Sequence, residues 1–355
     1  MRVAWFPKAV DLAGNPYWPR LQAELEALGV EFETSHASYW TARRWLLDHR
    51  RSVDVLHFHF IQPQYMGPGE RASLRRLLKF TSDLLLARLL GYRIVWTVHD
   101  LMPTWPKEPA WVEQLSRFVI TWLSHDVIVH CQEARRLVRQ AFHRSRRVHV
   151  LPLPSYADAH PNEITQAEAR TRLGIPHDRQ VIGFIGGIRP NKGLEDLIAA
   201  FQSASTTETL LLIAGRPWPP ESYVDEVFQL AKADHRIRVW AKEISDEEMQ
   251  VYLNAADVLA FPFRQVLTSS SVILAMSFGR PVIVPRLGCL PELVGADAGF
   301  IYEPGDVAGL TAAIRQAAAV NLGIMGASAA QQACASSWRD LALQTIAVYI
   351  RRSVG

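Results

Sequence analysis

This sequence is poor in the features that mark secreted, membrane-spanning or disordered chains. It has only three cysteines, Cys131, Cys289 and Cys334, in 355 residues. They lie far apart, without metal-ligand spacing or the even count of a disulfide framework, as expected of a reducing compartment, and read as structural or incidental. No apolar leader with a small-residue cleavage site precedes the first β-like segment, which argues against export. Long apolar runs are missing too: stretches such as residues 118–123 and 272–276 fall far short of the roughly 20 residues needed to cross a bilayer. Net charge is small, at +3.

What the chain does have is core-forming material. Hydrophobic residues make up 49% and charged ones 21%, enough to bury substantial cores and too apolar for disorder. The length suits two domains better than one. Charge is spread unevenly: residues 1–155 hold 21 Lys and Arg against 14 Asp and Glu, and the remainder 17 against 21. The amino-terminal half is basic and the carboxyl-terminal half acidic.

Short β-branched runs alternate with helical patterns, the signature of parallel βαβ units. The predicted strands are 2–6, 53–60, 93–99, 127–131 and 148–151 in the first half, and 181–185, 210–214, 237–240, 258–262 and 281–285 in the second. Between the halves, residues 152–178 carry Pro152, Pro154, Pro161 and Pro176 with a short helical patch at 167–173, and read as a linker. There is no tandem repeat. The expectation is an α/β chain of two Rossmann-like domains facing each other across a cleft at the carboxyl ends of both sheets.

Two segments in the second half carry chemistry. Gly186-Gly187-Ile188-Arg189-Pro190-Asn191-Lys192-Gly193 follows a strand and precedes a helical run. Glycines let a ligand approach the backbone, and Arg189 and Lys192 could neutralise a diphosphate; the alternative is an ordinary turn with solvated charges. Thr268-Ser269-Ser270-Ser271 stands before the helical run 272–278. Amides at such a helix start, with its positive dipole end, suit a phosphate, although plain capping would use the same residues.

Read on through Val272 to Ile283 and Gly288-Cys289-Leu290-Pro291-Glu292, with Asp257 to Pro262 and Gly299 to Asp306, the second half resembles the C-terminal domain of GT-B glycosyltransferases from residue 181 onward. Large retaining families carry a Glu-x7-Glu pair here; this chain has Val266 and Leu274 at those places. Their glycine-arginine pair is not matched either, since Gly187 stands where that arginine falls and Arg189 comes two residues later. The pattern is similar to the xanthan-type bacterial exopolysaccharide β-mannosyltransferases, which show an Ile-Arg-Pro-x-Lys-Gly loop and a hydroxyl-rich helix start, and Gly14-Asn15-Pro16-Tyr17 also looks like theirs. That resemblance implies an inverting transfer of mannose from GDP-mannose, giving a β product on a polyprenyl-diphosphate-linked oligosaccharide, with no metal or other cofactor. It implies donor contacts from Gly187, Arg189, Lys192, Ile244 and Thr268 to Ser271, base contacts near Ile244 being through the backbone. It also implies an N-terminal acceptor domain over 1–160, a donor domain over 161–335 and a last helix within 336–355 that returns to the first domain. Alternatives are a UDP-sugar-dependent glucosyl or glucuronosyl transferase, a GT-B epimerase, a retaining transferase, which the missing glutamates oppose, or a silent nucleotide-sugar-binding subunit.

In the first half, the predicted strands at 53–60 and 93–99 end in His57-Phe58-His59 and His99-Asp100, which places polar groups beside the expected cleft. An inverting reaction needs a base on the acceptor hydroxyl, and Asp100 or His99 is the candidate. Asn15 and His59 are candidates on the acceptor side. His57 and His59 share a strand face, so a metal pair is conceivable, but no third ligand stands at a sensible spacing. His130, and His125 with Asp126, could be core or surface residues instead. Two basic segments, Arg71, Arg75, Arg76 and Lys79 before a leucine-rich run, and Arg135, Arg136, Arg139, Arg144, Arg146 and Arg147, suggest peripheral docking on an anionic membrane from the cytoplasmic side. The other reading is a solvated helix face. No nucleic-acid-binding module accompanies the charge.

Overall fold

The computed structural model describes residues 1–9, 15–35, 43–66, 71–102, 109–204 and 208–350. Contacts divide the chain into two units, one of Met1–Leu153 with Ser336–Gly355, the other of Pro154–Ala335. The division falls ahead of the boundary that the sequence reading sets after residue 160.

The first unit runs β1 (Arg2–Phe6), α1 (Tyr17–Ala27), β2 (Glu31–Phe32), α2 (Arg43–His49), β3 (Val55–Phe58), α3 (Gln62–Tyr65), α4 (Leu74–Leu89), β4 (Arg93–Thr97), α5 (Ala110–Leu123), β5 (Asp126–Val129), α6 (Gln132–Phe142) and β6 (Val148–Val150). The second runs α7 (Gln166–Leu173), β7 (Gln180–Ile185), α8 (Leu194–Ala204), β8 (Thr209–Ala214), α9 (Glu221–Lys232), β9 (Ile237–Trp240), α10 (Asp246–Ala255), β10 (Val258–Ala260), α11 (Ser270–Ser277), β11 (Val282–Pro285), α12 (Leu290–Val294), β12 (Gly299–Tyr302), α13 (Val307–Ala319) and α14 (Leu322–Ala333). A final helix, α15 (Trp338–Ile350), packs on α1 of the first unit.

Each unit holds a six-stranded parallel sheet, ordered β2-β1-β3-β4-β5-β6 and β12-β11-β10-β7-β8-β9. Strands covered on both faces are largely apolar: every residue of β3, His57 included, and of β11 is buried, and all of β7 except its first. Because β3 to β6 are added in one direction, right-handed crossovers put α4, α5 and α6 on one face of the first sheet, where they touch in sequence. Trp5, Phe58, Phe80 and Trp96 fill the first core, and Phe184, Phe201 and Phe261 the second.

The segment read as a linker is largely structure of the second unit. Thr165 and Glu168 form a capping box at the start of α7. The Arg170 guanidinium, buried, donates to the carbonyls of Ala255 and His177 and to Asp257 at 2.7 Å. The helical patch read at 167–173 is α7, and one buried arginine holds it.

Candidate active site

Doubly wound sheets bind ligands beyond the strand ends where the direction of strand addition reverses. That place lies between β7 and β10 in the second unit and between β1 and β3 in the first.

In the second unit the loop after β10 is held from two sides by glycines. Gly193, which closes the Pro190–Lys192 turn at φ +65°, lies so close that a Cβ would stand 2.3 Å from the Pro262 carbonyl oxygen. Gly288, at φ +50°, would put a Cβ 2.5 Å from the Leu267 carbonyl oxygen, and the next amide, of Cys289, donates to that oxygen at 2.8 Å. The Arg264 amide adds a bond to the Asn191 carbonyl at 3.0 Å. The start of α11 is thereby fixed against the end of β7.

Two helices begin at this point, and their charge differs. α8 opens with Glu195 and Asp196, gripped by Arg264 at 2.7 and 3.0 Å, so its dipole is answered by its own carboxylates. α11 has no acid in its first turn. Ser269 caps it, its Oγ accepting the Val272 amide at 3.3 Å, and Thr268, Ser270 and Ser271 flank the cap, each half-buried. Of the two, α11 is the helix start suited to an anion. The Lys192 ammonium lies 4.1 Å from the centroid of the Phe263 ring, a cation-π contact that orients it. Arg189 is extended and half-buried ahead of Lys192. Gly187 lies under Trp218, where a Cβ would stand 2.9 Å from Cδ1, and the Arg216 guanidinium lies 4.8 Å from the same indole. Ile244 is half-buried between β9 and α10, two strands away from β7. Leu274, at one place of the missing glutamate pair, is buried in α11.

In the first unit a row of histidines crosses the carboxyl ends of β3, β4 and β5. His57 and His59 rings lie 4.1 Å apart, His59 and His99 5.4 Å, and His99 and His130 5.4 Å. Trp5, Tyr17 and Trp18 wall the row. His57 is fully committed: Nδ1 meets the Tyr349 hydroxyl at 2.6 Å and Nε2 meets Thr97 Oγ1 at 2.7 Å. Trp5 Nε1 also donates to the Tyr349 oxygen at 3.1 Å. His59 Nδ1 pairs with His99 Nε2 at 3.2 Å, and His130 Nδ1 donates to the Leu151 carbonyl at 2.9 Å. The Nε2 atoms of His59 and His130 are buried without a hydrogen-bond partner among the described residues.

Burial keeps all four neutral. It pushes His57 down to about 3 and His130 to about 4, and holds His59 and His99 well below the ordinary histidine value, with the neighbouring imidazoles adding to the shift of His57, His59 and His99. Asp100 follows His99 and is half-buried. Asn15 Oδ1 accepts the Tyr17 amide at 3.0 Å, which ties it to the start of α1; Gly14 lies outside the described residues. The metal pair does not form around His57, whose nitrogens are both engaged. Among the described residues no group of three or more His, Cys, Asp or Glu is placed to hold a metal.

His125 and Asp126 stand at the other end of the sheet. Asp126, buried, binds Arg93 at 2.5 Å, His149 at 2.8 Å and Arg147 at 3.3 Å. His125 Nδ1 accepts the Ile94 amide at 3.0 Å. The second basic segment needs correcting on the same ground: Arg144 is buried and donates to the carbonyls of Thr121, Ser124 and His125, and Arg147 serves Asp126. Both are structural. Tyr349, Thr97, Phe263 and Trp218 are the site-lining residues that sequence reasoning missed. Phe263, directly after the 257–262 segment, and Thr97, inside the predicted strand 93–99, had a local signal.

Two parallel six-stranded sheets of this order make the GT-B fold. Residues 179–319 match the family described as Glycosyl transferases group 1. The chain is 25% identical over 81% of its length, and 76% of the relative's, to a GDP-mannose:glycolipid 4-beta-D-mannosyltransferase of Xanthomonas campestris pv. campestris. Its fold is similar to sucrose-phosphate synthase from Thermosynechococcus elongatus, with a TM-score of 0.76, 19% identity and 98% of each chain covered. It is also similar to Anabaena HepE in complex with UDP, with a TM-score of 0.71, 17% identity, and 98% of this chain and all of that one covered.

Proposed function

We propose that the protein transfers mannose from GDP-mannose, with inversion, to a lipid-linked oligosaccharide in exopolysaccharide assembly, working from the inner face of the membrane. The observation that carries this reading is the start of α11, acid-free and clamped against the Lys192 turn. Its amides, the hydroxyls of Thr268 to Ser271, Arg189 and Lys192 take the donor diphosphate and stabilise it as it leaves. Val266 and Leu274 in place of a carboxylate pair favour a single displacement over retention. The named activity of the Xanthomonas relative supports the donor and the acceptor class.

Asp100 is the group assigned to remove the acceptor proton. His99 is the weaker candidate as a base, because burial lowers its proton affinity; a neutral imidazole suits a hydrogen bond to a sugar hydroxyl instead. Asn15 and the Nε2 of His59 are assigned to the acceptor side. No metal is required, the basic groups and the α11 amides supplying the charge stabilisation.

The reading is tested by calorimetric titration with GDP, UDP and ADP at one salt concentration, followed by transfer from GDP-mannose to a polyprenyl-diphosphate-linked acceptor and NMR of the new anomeric centre. GDP preference and a β product are expected. UDP preference would move the donor to a glucose-like sugar, binding without turnover would make the chain a nucleotide-sugar-binding subunit, and no binding would overturn the donor site.

A further inference from the structure

Helix α5 is apolar on its outer face and part polar on its inner one. Its outer face carries Trp111, Leu115, Phe118 and Trp122, at spacings of four, three and four that form one stripe, with Trp111 52% and Trp122 50% exposed. Its inner face mixes Val112 and Ile120 with polar groups: Glu113 and Ser116 are fully buried, with Arg117 and Thr121 beside them. Glu113 accepts the Tyr65 hydroxyl, and the Ser116 and Thr121 hydroxyls donate to the carbonyls of Glu113 and Arg117. Against α5 packs α4, whose exposed residues include Leu74, Leu78, Leu85 and Leu89, the last 86% exposed. A water-facing surface gains nothing from this arrangement, and contiguous apolar patches of this kind mark interaction surfaces.

The charge around the stripe has one sign. Of the acids on α4, α5 and α6, Asp83 is buried and held by Lys79 and Arg43, Glu113 is buried, and Glu133 is gripped by Arg136. Arg71, Arg75, Arg135 and Arg139 are exposed. Arg135, Arg136 and Arg139 line a recess of about 250 Å³ with Gln132 and Ser145. This recess adjoins the end of the stripe: Trp122 Nε1 donates to the Phe142 carbonyl at 2.9 Å, and Arg144 ties residues 121–125 to the same turn.

We infer that this face of α4, α5 and α6 is a docking surface for a bilayer containing anionic phospholipid, with the α5 stripe entering the interfacial layer and the arginines taking headgroup phosphates. A second copy fits poorly, because a two-fold contact would bring the arginine fringes together without acids to pair them. The inference rests on the proposed lipid-linked acceptor for its purpose, but the arrangement of side chains stands without it.

Co-sedimentation with vesicles tests it without donor or acceptor. The protein is expected to bind vesicles of equal parts phosphatidylcholine and phosphatidylglycerol, and phosphatidylcholine alone far more weakly. The exposed triple variant Trp111→Ser/Leu115→Ser/Phe118→Ser should lose roughly tenfold or more of that affinity with its thermal midpoint unchanged or raised. Arg135→Gln/Arg139→Gln should lose roughly tenfold on the mixed vesicles only, and decides the matter if the triple variant does not fold. Wild-type binding by both variants, no binding by the parent protein, or lipid-free self-association abolished by the triple variant would each overturn the inference. Vesicle binding without transferase activity would sink only the substrate reading.

Discussion

The Tyr349 hydroxyl stands 2.6 Å from His57 Nδ1, joining the last helix of the chain to the third strand of its first sheet. The same oxygen accepts the Trp5 indole proton. Replacing Tyr349 with Phe would remove the hydrogen bond from the buried Trp5 indole and the one to His57 Nδ1. A loss of about 1–3 kcal/mol in urea unfolding is expected, with no direct effect on nucleotide affinity. Unchanged stability would mean that water or a shifted side chain replaces the hydroxyl.

Gly193→Ala is expected to act on the donor side. The added Cβ meets the Pro262 carbonyl oxygen in a left-handed backbone conformation, so about 2 kcal/mol or more of stability should go. Nucleotide affinity should fall with it, since that contact holds the Lys192 turn against the loop that leads from β10 to α11. Calorimetry and urea unfolding on one preparation would check both.

Lys192→Met removes a charge and keeps most of the side-chain volume over Phe263. Stability should change little, while the dissociation constant for the nucleoside diphosphate rises about tenfold to a hundredfold, the worth of one charge-assisted hydrogen bond. An unaltered constant would remove Lys192 from the donor site.

Acid should weaken the first unit in a defined window. His57, His59, His99 and His130 stay neutral in the folded chain, whereas an unfolded histidine gains its proton near pH ~6.5. Below that pH the unfolded chain binds protons that the native chain refuses, so stability falls from about pH 6.5 toward about pH 4, where His130 itself begins to titrate. Within the window each group contributes a slope of about 1.4 kcal/mol per pH unit. Urea midpoints measured across this range should fall steadily with pH, and a flat profile would contradict the burial of the row.

Much of this architecture was legible because short β-branched and aromatic runs mark strands: the predicted strands 2–6 and 237–240 coincide with β1 and β9 end to end. β2 was missed because it is two residues long, at a sheet edge, with Glu31 exposed. In the site, the phosphate-suited segments could be found because glycine, lysine and serine speak locally. The Tyr349 contact could not, its partner being 292 residues away. The outward stripe of α5 was hidden for another reason. A helix that buries Val112 and Ile120 while exposing Trp111 and Phe118 is apolar on two faces, and periodicity does not say which one meets the core.

The place of α15 sets an order of events during synthesis. The strands of the first sheet leave the ribosome early, yet the helix that supplies their shared hydroxyl follows the whole of Pro154–Ala335. The second unit is contiguous and can close as soon as it emerges. The first must wait, without the Tyr349 contacts to Trp5 and His57, until α15 has followed the second unit out. A chain that stalls between Ala335 and α15 would therefore carry a finished half and an unfinished one, and the unfinished half is the one quality control would meet first.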